Sequence, residues 1–351
     1  MLLLTTTALA GARLVSPVYE ANCQAPSWSP DGSRLSYEVN YHDQKKIDLF
    51  IYSPGDGPPT AVKPLSRGSS ASLTAGFATA STEQVTHELS WSPSALNTFI
   101  YSASGAGQDY DLYIDRGGAV GAAPGADGGP AWSPDGRWIS FTSARTGQGD
   151  LYLLDVQDLT APARRLTTNA TAAELYASWS PSSRSLVYVG HSDAGDRIYT
   201  IDDIEQPAPQ ELTSLGRTQT RPSYSPDGQQ IAFYTNHRDA DEFDLYVTSA
   251  GQTPVMVAEN VVLNHRGPAW TPDGSRLVYV DRDDDSYNPI YIAPVASPSQ
   301  SRRLETGTVG NQDLSVARGQ DGQVWIALAA QGMSDDAVRD FKRIYVMVIP
   351  E

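Results

Sequence analysis

The sequence predicts an all-β fold made of repeated four-stranded antiparallel sheets, and three observations predict it. One phrase recurs along the chain, as in "APSWSPDGSRLSY" from residue 25 and "GPAWTPDGSRLVY" from residue 267. The aromatic residues at one shared position of this phrase follow one another at intervals of 63, 41, 47, 45 and 46 residues. A strand such as "DLYLL" (150–154) recurs after each copy of the phrase.

The first strand of each unit carries the repeated aromatic residue. Apart from the first, the intervals lie near the roughly 40 to 50 residues of a propeller blade. Large flat side chains at one position of every unit are expected to pack between blades. These residues are Trp28, Trp91, Trp132, Trp179, Tyr224 and Trp270.

A tight turn follows the first strand. In Ser-Pro-Asp-Gly, Pro presets φ for the first corner residue, Asp tolerates the second position, and Gly accepts the left-handed geometry that follows. The four aspartates Asp31, Asp135, Asp227 and Asp273 belong to different units, so they cannot converge on one substrate. Units two and four have "SPSALN" and "SPSSRS" instead. The repeated Asp is therefore predicted to be structural.

Three further strands complete each unit. The second strand alternates, as in "WISFTS" (138–143), the third resembles "DLYLL", and a short tract like "RRLTTN" (164–169) supplies a fourth. Four strands per unit make a blade of a β-propeller. A seventh third strand, "RIYVMVI", starts at Arg343, and the unit before it retains only Asp321 and Gly322 of the turn. Seven blades are predicted; in the six-bladed alternative, this degenerate unit packs as something else.

The N-terminus is predicted to close the ring. Residues 2–7, "LLLTTT", resemble the fourth-strand tract, whereas the chain ends at a third strand. Pairing the first strand of the chain with the last blade hides two exposed sheet edges. The alternative is that these residues are the remnant of a signal peptide. We expect one domain over residues 1–351, with a flexible small-residue insertion at 67–82.

Composition and missing motifs argue against several functions. The net charge is −16 with no basic stripe, which excludes a nucleic-acid partner. No apolar run approaches the roughly 18 residues of a membrane-spanning helix. A single cysteine, Cys23, excludes an internal disulfide. The chain contains no G-x-S-x-G, no H-E-x-x-H and no glycine-rich loop ending in Gly-Lys, so peptidases, zinc enzymes and nucleotide enzymes lose their best sequence support.

Polar residues are predicted to gather on one face of the ring. Loops between second and third strands share a face with the loops between blades, and we name it the top face. All five histidines fall in such loops, and four more polar residues flank the innermost strands there. We expect a binding site at the mouth of the channel, with its arginines as exposed loop charges and no catalytic residue assigned. The candidates are His42, His87, Glu174, Tyr176, His191, Arg221, His237, His265 and Arg266.

A metal held by the top-face histidines is one alternative, and an acidic loop supplies the calcium candidates. Asp281, Asp283 and Asp285 alternate as at the start of a calcium loop, but Ser286 stands at the sixth position in place of Gly and Ile292 at the twelfth in place of Glu. The loop is an incomplete match. We therefore expect no cofactor, with calcium or another divalent cation at these aspartates as the alternative.

The "WSPDG" turn followed by an alternating strand and "DLY" resembles the TolB-like β-propeller family, built of WD40-like PD40 repeats, over nearly the whole chain. The resemblance implies a range of functions, since members include periplasmic and cell-envelope interaction modules, propeller domains of prolyl-oligopeptidase-type hydrolases and some polysaccharide lyases. We expect a monomeric, non-catalytic binding module of the bacterial cell envelope, periplasmic or extracellular, that binds a protein, a polar small ligand or a glycan. The competing class is a carbohydrate lyase or hydrolase that uses top-face His and acidic residues.

Overall fold

The computed structural model describes most of the chain. The described residues are 11–16, 21–41, 46–54, 58–62, 85–93, 96–104, 109–115, 117–121, 123–147, 149–168, 173–191, 193, 195–213, 215–283, 285, 287–332 and 341–350, with the backbone alone for 85–87. The predicted insertion at 67–82 and the predicted strand at 2–7 lie outside them. Within this part of the chain no helix is long and apolar enough to cross a membrane.

The fold is a seven-bladed β-propeller, which confirms the predicted fold class and shows that the six-bladed alternative is wrong. Strand β1 (Arg13–Leu14) belongs to the last blade. Blade 1 contains β2 (Asn22–Trp28), β3 (Leu35–Tyr41), β4 (Lys46–Tyr52) and β5 (Thr60–Ala61). Blade 2 contains β6 (Val85–Trp91), β7 (Phe99–Ser104), β8 (Asp111–Ile114) and β9 (Gly118–Val120). Blade 3 contains β10 (Asp127–Trp132), β11 (Trp138–Ser143), β12 (Asp150–Asp155) and β13 (Arg164–Arg165).

Blades 4 to 7 follow the same order. Blade 4 contains β14 (Ala173–Trp179), β15 (Leu186–His191), β16 (Arg197–Ile201) and β17 (Gln210–Glu211), and blade 5 contains β18 (Gln219–Tyr224), β19 (Ile231–Thr235), β20 (Phe243–Thr248) and β21 (Val255–Val261). Blade 6 contains β22 (Ala269–Trp270), β23 (Arg276–Val280), β24 (Ile290–Pro294) and β25 (Arg302–Leu304). Blade 7 contains β26 (Thr308–Arg318), β27 (Val324–Gly332), β28 (Arg343–Val348) and β1. A 3-10 helix, Pro298–Gln300, precedes β25.

The N-terminal segment closes the ring, as predicted, but its strand lies later than residues 2–7. In β1, Arg13 pairs with Val346 and Leu14 with Tyr345 of β28. The sequence "ARLVS" at 12–16 matches "ARRLT" at 163–167, in which Arg165 pairs with Tyr152 as Leu14 pairs with Tyr345. The closing strand, Arg13–Leu14, thus has the same pairing register as the outer strand of blade 3.

Apolar side chains fill the interfaces between blades. Between blades 3 and 4, for example, Leu151 packs with Trp179 and Ile204. The repeated tryptophans also join blades by hydrogen bonds, because Trp91 Nε1 donates to Ser27 O at 3.0 Å and Trp179 Nε1 donates to Ala131 O at 2.9 Å. The predicted packing of these aromatics between blades is thus confirmed.

The turns between first and second strands define the bottom face. In blade 6, Asp273 Oδ1 accepts hydrogen bonds from Thr271 Oγ1 at 2.6 Å and from Ser275 N at 3.1 Å. The same pair of bonds, from the side chain two residues before and the backbone amide two residues after, recurs at Asp31, Asp135 and Asp227. Each Asp carboxylate thus accepts these hydrogen bonds inside its own turn, and the backbone N of Asp135 also donates to Ser183 Oγ of the next blade.

Glycine in these turns allows neighbouring blades to touch. A Cβ built on Gly228, at φ +73°, would lie 3.2 Å from Pro181 of the preceding turn, and one on Gly274, at φ +70°, would lie 3.4 Å from Pro226. The glycines of blades 5 and 6 therefore allow their turns to pack against the Pro of the preceding turn.

Candidate functional site

A β-bulge interrupts the upper half of the innermost strands. The residue three positions before the repeated aromatic has a positive φ in all seven blades, between +47° and +87°, when Val316 is taken as the aromatic position of blade 7. In six blades the pairing with the second strand shifts register there. Such a bulge turns a side chain out of the regular alternation. The seven positions, which we call the bulge ring, are Ala25, Glu88, Gly129, Tyr176, Arg221, Gly267 and Asp313.

Carboxylates bind the amides of the bulge ring on one side of the channel. Asp313 Oδ2 accepts a hydrogen bond from Ala25 N at 3.1 Å, Glu38 Oε1 from Glu88 N at 3.1 Å, and Glu88 Oε2 from Gly129 N at 2.7 Å. Buried backbone amides need an acceptor, and here a neighbouring blade supplies it. The three acids thereby lock blades 7, 1, 2 and 3 to one another.

Arg266 reaches across the channel from blade 6. Its Nε donates to Ala25 O at 3.2 Å and its Nη1 donates to Leu89 O at 2.6 Å, so the side chain bridges to blades 1 and 2. Burial lowers the pKa of Arg266 below its usual value, and three carboxylates oppose that shift: Glu38, Asp313 and Glu88. The sequence predicts an exposed loop charge at Arg266, and the structure differs, because the guanidinium extends into the channel and contacts blades 1 and 2. The local sequence around Arg266 does not reveal the channel.

Tyr176 and Arg221 form the opposite side of the mouth. Both are bulge-ring residues, at φ +55° and +50°. The Arg221 guanidinium lies 5.1 Å from the centre of the Tyr176 ring, and its Nη1 donates to Asn264 O at 3.1 Å. Tyr176 is 43 % exposed. This side of the mouth therefore presents an aromatic ring with a guanidinium held against it.

His265 lies beside Arg266 and is held by a buried acid. Its Nδ1 is 2.7 Å from Asp313 Oδ1, and its backbone N donates to the same oxygen at 3.0 Å. Burial raises the pKa of Asp313, but the bonds from His265 and Ala25 outweigh burial and keep that pKa below its usual value. The carboxylate is thus ionised, and it orients the half-exposed imidazole at the mouth.

Glu174 does not join this group. Its carboxylate accepts a hydrogen bond from Thr167 Oγ1 at 2.6 Å, between blades 3 and 4, and lines a cavity of about 220 Å³ beside Tyr188 and Tyr199. Only 2 % of Glu174 is exposed, and burial raises its pKa to about 7. The site residue predicted next to Tyr176 therefore faces an interblade cavity.

The other predicted histidines lie farther out on the top loops or outside the described atoms. His191 pairs through Nδ1 with the Asp196 carboxylate, and the His237 ring meets Tyr246 edge-on at 5.3 Å. His87 precedes the bulge residue of blade 2, and only its backbone is described. His42 lies outside the described residues. The predicted nine-residue set thus has four members at the mouth: Tyr176, Arg221, His265 and Arg266.

The acidic loop of blade 6 carries the metal candidates. Asp281 forms a bridge with Val261, Asp283 Oδ1 accepts a hydrogen bond from Asn288 N at 3.0 Å, and Asp285 is exposed. Burial, together with the charge of Asp283, raises the pKa of Asp281. Among the described residues no three His, Cys, Asp or Glu side chains are grouped as metal ligands. Calcium here stays a prediction.

Three acids at the mouth are not among the residues predicted from the sequence: Glu38, Glu88 and Asp313. Two of them belong to the bulge ring, so a signal was present. Reading the residue three positions before each repeated aromatic, with Val316 in the aromatic position of blade 7, selects both Glu88 and Asp313. Glu38 lies on a second strand and has no such signal.

Two relatives share parts of the chain. The uncharacterized protein Atu1656 of Agrobacterium fabrum is 32 % identical over 162 residues, which cover 41 % of this chain and 52 % of that protein. The uncharacterized peptidase YuxL of Bacillus subtilis is 28 % identical over 172 residues, covering 46 % of this chain and 24 % of the peptidase. The matched regions thus span about half and about a quarter of these relatives.

Two solved structures share the fold. TolB from Acinetobacter baumannii superposes with a TM-score of 0.54 at 18 % identity, over 77 % of this chain and 63 % of that one. An oligogalacturonate lyase from Vibrio parahaemolyticus superposes with a TM-score of 0.63 at 11 % identity, over 99 % of this chain and 95 % of that one. The first is titled a TolB and the second a lyase, so at these identities the likeness shows the fold and leaves activity open.

The family model of the PD40 TolB β-propeller domain matches residues 89–303, from the innermost strand of blade 2 to the outermost strand of blade 6. This match covers more than half of the chain and agrees with the seven blades and the repeated turn. The protein belongs to the TolB β-propeller family.

Proposed function

We propose that this protein is a non-catalytic binding module of the bacterial cell envelope, and that it binds a polar or partly anionic partner at the top-face mouth. The mouth consists of Tyr176, Arg221, His265 and Arg266. Arg221 supplies a cation beside Tyr176 in a chain whose net charge is −16, whereas the charge of Arg266 is opposed by Glu38, Glu88 and Asp313. Family membership supports an interaction role, because the TolB-like propellers that the sequence resembles include envelope interaction modules.

The observation that carries the proposal is that Tyr176 and Arg221 occupy two left-handed bulge positions. A left-handed backbone costs a residue with a Cβ roughly 1–2 kcal/mol, and glycine avoids that cost. Blades 3 and 6 have Gly129 and Gly267 there, whereas blades 4 and 5 have Tyr176 and Arg221. Backbone strain of this kind persists where a side chain has a function. Tyr and Arg are also the residues most enriched at binding hot spots.

The test compares a mouth variant with a control on the outer edge of a blade. Immobilised protein captures the partner from an envelope extract, and the purified partner is then titrated against Tyr176→Gly and Met256→Ala. Met256 is exposed on β21, the outermost strand of blade 5, three strands away from the bulge-ring residue of that blade. We expect Tyr176→Gly to raise the Kd at least tenfold and Met256→Ala to leave it unchanged. Equal Kd values for wild type and Tyr176→Gly would show that the mouth is not the site.

A carbohydrate lyase is the second candidate, and the His265–Asp313 pair favours it. An ionised, buried acid that orients an imidazole is the usual arrangement of a general base. In uronate β-elimination, a base removes the C5 proton next to the carboxylate and the C4–O bond breaks, which leaves a C4=C5 double bond, while the departing glycosidic oxygen takes up a proton and leaves as a hydroxyl of the second product. Oligogalacturonate incubated with the protein and a divalent cation tests this by ultraviolet absorbance of the unsaturated product. Turnover that His265→Gln abolishes would favour the enzyme over the module.

A further inference from the structure

The cavity of about 220 Å³ beside Glu174 lies between blades 3 and 4, and we call it the interblade cavity. Two of the residues that line it, Thr168 and Pro209, are exposed. Two others are buried, because only 2 % of Glu174 and 3 % of Tyr188 is exposed. The cavity therefore leads from the surface to a buried carboxyl group, and it shares no lining residue with the mouth.

The interblade cavity exists because one position on the second strand of blade 4 is glycine. Glu174 pairs with Gly190 across β14 and β15, so a side chain at 190 would lie on the same face of the sheet as the Glu174 carboxyl. In blade 4 the Tyr199 ring lies over the glycine, where a Cβ would be 2.8 Å from Tyr199 Cε2. In blades 3 and 5 a residue with a hydroxyl group has this place. The pairs there are Asp127 with Ser143 and Gln219 with Thr235. The space that a larger side chain would fill is thus open beside Glu174.

Glu174 differs from its counterparts in blades 3 and 5 because it has no charge partner. The Asp127 carboxylate of blade 3 forms an ion pair with Arg145 at 3.1 Å. Gln219 of blade 5 is neutral, and its Nε2 donates to Leu215 O at 2.7 Å. Glu174 accepts a hydrogen bond from a hydroxyl, and none of the described residues forms an ion pair with it. Of these three blades, blade 4 is therefore the one with a buried acid that the described part of the chain does not pair with a cation.

The charged groups around Glu174 are one cation short. Asp150 and Arg165 of blade 3 are the charges that act on it, and the Arg165 guanidinium is held 2.8 Å from the Asp150 carboxylate. Two carboxylates thus share one guanidinium, and burial together with the charge of Asp150 raises the pKa of Glu174 to about 7. Other cations at the top of blade 4 are paired with other acids: Arg197 with Glu211 and His191 with Asp196. A cation that enters the cavity would therefore supply the missing charge.

The walls of the cavity favour an organic cation over a metal ion. Among the described residues no three His, Cys, Asp or Glu side chains are grouped as metal ligands, so a metal would lack a ligand set here. Tyr188 and Tyr199 line the cavity with their rings stacked at 5.7 Å. Tyrosine rings attract ammonium groups and also pack against alkyl chains. A volume of about 220 Å³ equals that of roughly seven water molecules in the liquid, which is enough for a molecule of about five heavy atoms.

We propose that the interblade cavity binds a free, short-chain primary amine in its ammonium form. The ammonium group donates to the Glu174 carboxylate at the buried end, and the alkyl chain lies along Tyr188 and Tyr199 toward the surface. A primary ammonium has three N–H donors, and the hydroxyls of Thr167 and Tyr188 are further acceptors on the cavity wall. The buried acid thus selects the charge, and the tyrosines and the volume select a small organic group.

Calorimetric titration of the full chain with butylammonium tests this directly, and 1-butanol is the neutral counterpart. We expect saturable binding of butylammonium at pH 8 and no binding of 1-butanol. The amine stays charged from pH 6 to pH 8, whereas Glu174, with a pKa of about 7, gains its charge over this range. The Kd for butylammonium should therefore fall about tenfold from pH 6 to pH 8.

Glu174→Gln is the decisive variant, and Glu205→Gln is its control. Gln219 has the equivalent place in blade 5, so an amide fits there and the variant is expected to fold. Loss of a charge-assisted hydrogen bond should raise the Kd at pH 8 at least tenfold and remove its pH dependence. Glu205 is an exposed acid of the same blade, 63 % exposed in its side chain, and its change should leave both unchanged.

Three results would overturn the proposal: no binding of butylammonium, equal binding of 1-butanol, or an unchanged Kd in a folded Glu174→Gln protein. A capped lysine carries the same ammonium group on a bulkier molecule. Tighter binding of capped lysine than of butylammonium would assign the cavity to a protein side chain and overturn the free amine. Because Tyr176 does not line the interblade cavity, failure of the mouth in Tyr176→Gly does not affect these outcomes.

Discussion

The two ends of the innermost strands differ in how far their residue types repeat from blade to blade. At the bottom, Asp31, Asp135, Asp227 and Asp273 make the same two hydrogen bonds inside their own turns. At the top, the bulge ring has one backbone conformation and six different residue types in seven blades. Where a side chain is needed to form the local turn, the chain repeats it. Where the backbone is fixed by pairing alone, the side chain is open to selection for function.

The surroundings also shift the pKa values of carboxyl groups at the two ends in opposite directions. The Thr271 hydroxyl, with further hydrogen bonds from Ser275, lowers the pKa of Asp273 to about 2. Burial raises the pKa of Glu174 to about 7, despite its bond from Thr167. Hydrogen bonds to an exposed turn favour the charged form, whereas desolvation between blades disfavours it. The comparison therefore predicts opposite pH dependences for the two ends.

The largest effect is expected from Arg266→Ala at the top. Removing this guanidinium leaves Glu38, Glu88 and Asp313 without their central counter-charge, and it breaks the bonds to Ala25 O and Leu89 O. Loss of one partner from such a buried group costs about 3 kcal/mol. Urea denaturation measures it as a fall in the free energy of unfolding.

Arg137→Ala is the matched change at the bottom. Arg137 is exposed, stacks on Trp138 at 4.6 Å and pairs with Asp155 at 3.5 Å, so its loss is expected to cost about 0.5 kcal/mol. Similar costs for the two variants would mean that Arg266 behaves as a surface charge, as the sequence alone suggested.

Glu174→Gln should remove a pH dependence at the top. A buried carboxyl with a raised pKa stabilises the fold fully below its unfolded pKa, about 4.3, and that contribution is lost as pH rises through the folded pKa of about 7. The slope between these values approaches one proton, about 1.4 kcal/mol per pH unit at most. Unfolding free energies from pH 4 to 8 should show it in wild type and not in the variant. Parallel pH curves for the two proteins would contradict the assignment.

Most of the fold could be predicted because its repeated contacts are local in sequence. The aromatic strand, the Pro-Asp-Gly turn and the third strand lie within one unit, so each copy reports its own structure. The apolar pattern of "LLLTTT" predicts the closing strand at 2–7, whereas the strand is Arg13–Leu14, where "ARLVS" matches "ARRLT" of blade 3. A strand of two residues gives little sequence signal.

The site could be predicted only in outline. Tyr176, Arg221, His265 and Arg266 were recognised as top-face residues, but Arg266 contacts Ala25 and Leu89, which are 241 and 177 residues away. Contacts across the channel depend on ring closure, and no local pattern encodes them. The same holds for Glu174, whose burial between blades follows from how blade 3 packs and not from its place beside Tyr176.

Asp273→Ala tests the bottom end and is expected to cost about 1 kcal/mol at neutral pH, because the turn loses both bonds to the carboxylate. The contribution of this carboxylate is present above its unfolded pKa of about 3.9 and is lost as pH falls through about 2. The two proteins should therefore converge in stability at low pH, opposite to the trend for Glu174. Partner binding at the mouth should not change, and its loss in a stable Asp273→Ala protein would show that the turn has a further role.

The smallest stability effect is expected from Tyr176→Gly, although the same change should raise the Kd for the partner at least tenfold. Glycine removes a left-handed strain of roughly 1–2 kcal/mol, but it adds about 0.5–1 kcal/mol of unfolded-chain entropy and loses a contact with Arg221 of similar size. These contributions nearly cancel. Tyr176→Ala loses the same ring contact and keeps most of the strain, so it should be less stable than Tyr176→Gly in urea denaturation. If the alanine variant proves the more stable of the two, the bulge does not strain Tyr176, and the argument that this residue is retained for binding fails with it.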